Sequence, residues 1–196
     1  MMSVTGTQLR EMPDMSKKSK KDFPASTSEA FHHDGDVKIV KATSEHAGYL
    51  QHHLRQSDVR ECMIYGATPW RALHMPFKDK NAMIYTGLYK DEPACMFGVS
   101  PFDDIKDIYG GSIWMLASHI IEEQPRKFLS ASKKMCDFMV NSFDYVENVV
   151  PVDHERTIRW LDWLGFQFST QPVTVNGYQC YRFVRCAKSL EVTFEL

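Results

Sequence analysis

The 196-residue sequence predicts an α+β domain: a mixed, mostly antiparallel sheet of about seven strands flanked by about four helices, with an extended polar arm in front. Three observations carry this. Strand-type alternation recurs at VKIVKAT (37–43), AMIYTGLY (82–89), PACMFGVSPF (93–102), SIWMLASHII (112–121) and YVENVVPV (145–152). Helical periodicity appears in QPRKFLSASKKMCDFMVNSF (124–143), with Phe128, Ala131, Met135, Phe138 and Met139 as its inner stripe, and in ERTIRWLDWLGF (155–166). Short joints then tie neighbouring strands into hairpins: KDE after residue 89, and Asn176–Gly177 within 168–186.

The remaining elements follow in order. Ser44 caps a helix that runs through HAGYLQHHLRQSDVREC to residue 62, and PWRALHMPF (69–77) is a second helix with Pro69 in its first turn. Gly165 closes the helix of 155–166. Residues 1–35 form an arm and not a domain, rich in Ser, Thr, Lys and Met without apolar periodicity. Residues 36–196 form the folded domain, whose tail KSLEVTFEL (188–196) alternates in a way suited to a sheet edge.

Composition narrows the function. With 43% apolar and 12% aromatic residues the chain has the material for one full core, and a net charge of −2 makes no global case for nucleic acid or membrane. The one basic run, Lys17, Lys18, Lys20 and Lys21, suits a weak contact with a phosphate backbone. The start has no apolar signal region and no stretch is long and apolar enough to span a bilayer, which predicts synthesis in a cytoplasm. Five cysteines without a CxxC pair read as buried thiols, and the adjacent pairs His32–His33 and His52–His53 point to different sides, so no metal site is expected.

The stretch WMLASHIIEEQPRKFLSASKK (114–134) runs from strand to helix through a tight joint, the place where α/β proteins hold phosphate on free N–H groups. Glycine normally lets a pyrophosphate approach such a joint, and Glu122 to Lys127 contain none. Pro125 removes a donor, and Glu122 and Glu123 repel an anion. Arg126 and Lys127 are the cations left to attract phosphate.

The element order, with IRWLDWLGF directly before a last hairpin, resembles the GCN5-related N-acetyltransferase (GNAT) superfamily over about residues 36–186. In that family the strand matching 112–121 and the next one splay apart, and acyl-coenzyme A lies in the gap with its pyrophosphate on the following loop. The resemblance therefore implies that an active protein would hold acetyl-CoA through Leu116, Ser118, Arg126, Lys127 and His154, with His119 and Glu147 as the catalytic candidates. Three departures stand against activity: the family's Arg/Gln-x-x-Gly-x-Gly/Ala loop is EEQPRKF, the tyrosine that protonates the leaving thiolate is Leu161, and the coenzyme-arm asparagine is His154.

A narrower likeness explains these losses. The WMLAS strand, the glycine-free joint before RKF and the IRWLDWLGF helix after a strand ending near Val152 look like the acetyltransferase-like internal virion protein A family of short-tailed bacteriophages. That resemblance implies a virion component of the internal core or head-to-tail region, inactive as an enzyme and without a cofactor. Its partners would be portal, tail or core proteins, met in multiple copies. The alternative is an acyl-CoA-dependent N-acyltransferase with an atypical pyrophosphate loop.

Overall fold

A computed structural model describes residues 32–102 and 108–187. The polar arm up to residue 31, with its lysine run, and the tail 188–196 lie outside the described residues.

One nine-stranded sheet organises the chain. Its strands are β1 (His32–Asp34), β2 (Val37–Lys41), β3 (Met83–Tyr89), β4 (Glu92–Pro101), β5 (Gly110–Ala117), β6 (Tyr145–Pro151), β7 (Gln167–Phe168), β8 (Val173–Val175) and β9 (Tyr178–Cys186). They lie in the order β1-β2-β3-β4-β5-β6-β9-β7, with β8 on β9. Every pairing is antiparallel except β5 with β6. The helices are α1 (Ser44–Leu50), α2 (Gln56–Ile64), α3 (Pro69–His74), α4 (Ile120–Glu123), α5 (Pro125–Val140) and α6 (Glu155–Trp163). None of them is long and apolar enough to cross a membrane.

The hairpin turns form as their residues dictate. Asn176 and Gly177 both take positive φ, 47° and 86°, the geometry that matches strand twist in a two-residue turn. Lys90 and Asp91 do the same at 50° and 66° between β3 and β4. Gly165, at φ 87°, ends α6 in the left-handed conformation that only glycine takes without strain.

Side-chain alternation on the strands gives the sheet two buried faces. On one, Val37, Ile39, Phe97, Ile113, Val146 and Phe183 meet the inner stripe of α5, Phe128, Ala131, Met135 and Met139, and Leu161 and Leu164 of α6. On the other, Met96 and Leu116 pack against Ala47, Leu50, Cys62 and Leu73 from α1, α2 and α3. Phe138 of the expected stripe is only half-buried at the edge of the first cluster.

Four expectations need correction. The first long helix is two: Thr43, not Ser44, caps α1 by accepting the His46 N–H at 3.3 Å. The chain then turns through residues 51–55 before α2, because Leu54 forms a bridge with Ser118 and the Arg55 N–H bonds the Ala117 carbonyl. The strand expected to reach 121 stops at Ala117, since Ile120–Glu123 coils into α4. Finally, the extended arm drawn up to residue 35 is not wholly separate from the domain, since His32–Asp34 pairs with β2.

Gly98 shows how closely the strands approach. A Cβ there would stand 2.0 Å from the Met83 carbonyl oxygen, so β3 and β4 would have to separate. Gly98→Ala is expected to lower stability by about 2–3 kcal/mol in urea unfolding, the scale of an overpacked core.

Candidate functional site

Pairing between β5 and β6 covers only Gly110↔Tyr145, Gly111↔Val146 and Ser112↔Glu147. Past Ser112, β5 stays on β4 up to Ala117, and β6 stays on β9 up to Pro151. A wedge therefore opens through the sheet. The peptide groups of a strand point alternately to its two sides, and Ser118 N–H bonds the Ala94 carbonyl in β4. Residues 113, 115 and 117 accordingly turn theirs to the wedge.

Two of these three are satisfied by side chains and a loop. The Ile113 carbonyl accepts from Asn148 Nδ2 at 2.6 Å. Ala117 accepts from the Arg55 N–H at 2.9 Å and donates to Asp58 Oδ2 at 3.3 Å. Among the described residues, nothing is bonded to the wedge edge of Met115.

Helix α2 lies across the wedge and grips both lips. Its N-cap, Arg55, holds Asp58 through Nε at 2.6 Å and Nη2 at 2.9 Å, which fixes the buried carboxylate beside Ala117 of β5. Burial pulls the Asp58 pKa upward, against the guanidinium that favours the ion. Further along, Glu61 Oε1 is 2.8 Å from His154 Nδ1, just beyond β6. The Tyr65 hydroxyl donates to Asn148 Oδ1 at 2.6 Å and lies 3.1 Å from the Val149 carbonyl. Asn176 Nδ2 then bonds the Ile64 carbonyl, fastening the last hairpin over the end of α2.

The wedge and the space beneath it form a cavity of about 710 Å³. Glu61, Cys62, Tyr65 and Trp114 line it on the α1–α3 side; Phe128, Ala131, Met135 and Trp160 line it on the α5–α6 side. Trp114 keeps its buried indole N–H without a partner among the described residues. Although 47% of the surface of Tyr65 is open, its hydroxyl end is desolvated, and that, with the nearby Glu61 charge, drives its pKa up and keeps the proton on. The Glu61 hydrogen bond raises the pKa of His154 against a smaller opposing effect of burial. Burial lifts the Cys62 thiol to about 11, which leaves it unreactive.

The residues singled out from the sequence are spread widely. His119 caps no strand end in the wedge: it is exposed, 3.8 Å from Glu123. Glu147 is bound to Arg182 at 2.8 Å beside the last parallel pair, about 20 Å along the strand direction from His119. Ser118 is fully buried, with its hydroxyl on the Ala94 carbonyl, and Leu116 turns its peptide group to β4; the free edge belongs to Met115. Lys127 is drawn to Asp36 at 2.7 Å and lies over the Tyr89 ring, while Arg126 stays exposed. His154 does not line the cavity itself; it is bound to Glu61, which does. Leu161 is buried and lines the cavity.

Arg55, Asp58, Glu61 and Tyr65 escape a sequence reading, although their three- and four-residue spacing puts them on one side of a helix. Asn148 escapes too, because an isolated asparagine in a strand carries no signal.

No family model matches this chain, and no curated protein matches it. Solved structures do. The chain is similar to RimL, a ribosomal L7/L12 alpha-N-protein acetyltransferase in complex with coenzyme A, at 11% identity and TM-score 0.56, covering 83% of this chain and all of that one. It is also similar to the ribosomal-protein-S5-alanine acetyltransferase from Vibrio fischeri, at 10% and 0.58, covering 84% of this chain and 100% of that one. A third likeness is to the aminoglycoside acetyltransferase AAC(6')-Ib in complex with coenzyme A, at 14% and 0.58, covering 79% of this chain and 97% of that one. The fold is thus the GNAT acetyltransferase fold. The expectation that the cleft takes no cofactor is corrected: two of these neighbours carry coenzyme A, and the wedge here is open. Nothing in the neighbours or in the described residues supports a virion family.

A raised His154 pKa has a definite stability consequence. The Glu61–His154 pair contributes fully below the unfolded histidine value of 6.5 and is lost as pH rises through the higher folded value. In NMR titration His154 should protonate above 6.5 and fall back in Glu61→Gln, and the stability gap between the two proteins should shrink with rising pH.

Proposed function

We propose that the protein is an acyl-CoA-dependent N-acyltransferase that works in the β5–β6 wedge. The observation that carries this reading is the free peptide edge of Met115 inside an open, largely apolar cavity, which suits the amide-rich arm and thioester of an acyl-CoA. The buried, unpartnered Trp114 N–H supplies a further donor there. Phosphate recognition takes a different form from a glycine loop. Arg126 and Arg156, both exposed near the joint, supply the positive charge in place of glycine-lined N–H groups.

The bound thioester supplies the acyl group, whose C–S bond breaks as a C–N bond forms to the acceptor amine. Tyr65 holds its proton at neutral pH at the wedge, so it is the group to protonate the departing sulfur in place of the tyrosine absent at Leu161. The Glu61–His154 pair, one helical turn away, takes up the proton that the amine loses. Asn148 fixes the Tyr65 hydroxyl against β6.

Isothermal titration of the full chain with acetyl-CoA tests the reading, with micromolar binding expected. No heat at millimolar ligand would overturn it and leave a non-catalytic use of the fold, of which a virion component is one. With any amine that the wild type acylates, Tyr65→Phe should lower kcat by about 100-fold or more and leave KM for acetyl-CoA nearly unchanged.

A further inference from the structure

The α5 side of the cavity reaches far past the wedge. Its lining continues from Ile113 and Met115 in β5 to Phe97 and Cys95 in β4, Gly87 in β3, and Ile39 and Val37 in β2. Helix α5 roofs it with Phe128, Ala131 and Met135. Cross-strand pairing explains the shape. Ile39 pairs with Gly87, Gly87 with Cys95, and Cys95 with Ala117, so one row of partners crosses the sheet at a right angle to the strands. Three of these four side chains are small, which leaves depth under α5. At Gly87 an added Cβ would come 2.8 Å from Cys95 Sγ and 3.5 Å from Phe128 Cε1, so any side chain there would crowd the row beneath α5.

We infer that this channel takes the hydrocarbon tail of a medium-chain acyl thioester whose carbonyl sits at the free Met115 edge. The inference rests on the acyl-CoA reading and specifies its donor. Interiors are normally packed without voids larger than a water molecule, and an apolar void with no occupant lowers stability. Water gains little on these walls: β2, β3 and β4 present hydrocarbon, ring and thiol surface, and on α5 the Ser132 hydroxyl is already donated to the Leu129 carbonyl at 2.8 Å. A hydrocarbon is the occupant that matches. From β5 to β2 the row spans three strand spacings, about 14 Å. An extended alkyl chain advances roughly 1.3 Å per 1.5 Å bond, so about ten to twelve carbons reach from Met115 to β2. An acetyl group would leave the channel empty.

Titration calorimetry of the full chain with acetyl-CoA, dodecanoyl-CoA and hexadecanoyl-CoA, alongside displacement of a fluorescent undecanoate by free dodecanoate, tests this. Dodecanoyl-CoA should bind at least about 30-fold more tightly than acetyl-CoA, since each buried methylene adds favourable transfer energy, and hexadecanoyl-CoA should gain nothing further. Ala131→Phe, which plugs the channel from α5, should reduce that ratio to about threefold or less. Should this variant not fold, Ala131→Leu should move the optimum to a shorter chain. Equal affinity for acetyl-CoA and dodecanoyl-CoA would overturn the channel while sparing the acyl-CoA reading, and so would a preference for dodecanoyl-CoA that the folded variants leave intact. Displacement by dodecanoate without binding of any CoA ester would support the channel and sink the acyl-CoA reading; loss of both would remove the two together.

Discussion

Two strands that stay together for three residue pairs and then separate set the terms for the rest of this structure. Parting strands leave peptide groups facing each other across a space too wide for a hydrogen bond, and a buried peptide group without a partner is costly. The molecule answers with side chains. Asp58 and the Arg55 backbone take Ala117, and Asn148 reaches across for Ile113. Among the described residues Met115 alone is left, between those two repairs, and the proposed function takes that open edge as the place for its ligand.

The helix that makes the repair also carries the groups to which the proposed chemistry is assigned. Because α2 must touch both lips of the wedge, Asp58 and Glu61 point inward, and two of the groups held at the lips have shifted proton affinity: His154, bound by Glu61, and Tyr65, bound to Asn148. The two sides of the sheet differ accordingly. The α1–α3 side presents carboxylate, phenol, amide and indole, whereas the α5–α6 side is mostly apolar, with Ser132, Arg156 and Thr157 as its polar residues. The proposed function puts an amine acceptor on the first side and the proposed channel a hydrocarbon on the second. The glycine-free joint fits the same division: it coils into α4, and its Glu122 lies between Arg55 at 3.6 Å and Arg156 at 3.8 Å.

Most strands were legible because alternation and turn chemistry act locally. Asn176–Gly177 makes its turn whatever surrounds it, and the Phe128–Ala131–Met135–Met139 spacing makes one apolar helical face in any context. Local pattern failed where a distant partner wins. Residues 51–55 have helical character in sequence, yet Ser118 and Ala117 of β5 draw Leu54 and Arg55 out of a helix. His32–Asp34 looks polar and formless, and becomes a strand only because β2 offers an edge. His119 lies at the end of an apolar run that reads as strand, and the run coils into α4 one residue later.

The same contrast separates the fold from the site. Sequence alone determined the element types, the order that matches the GNAT fold, and the loss of two features: a glycine in the joint and a tyrosine at Leu161. These are properties of neighbouring residues and short spacings. Only the tertiary structure decided that the cleft is open, that Met115 and not Leu116 or Ser118 presents the free edge, and that a tyrosine from α2 stands near the wedge. Tyr65 and Asn148 are 83 residues apart, and their contact exists because two strands diverge and a helix spans them. Convergence of that kind depends on how whole elements pack, a long-range balance that no local pattern of residues encodes.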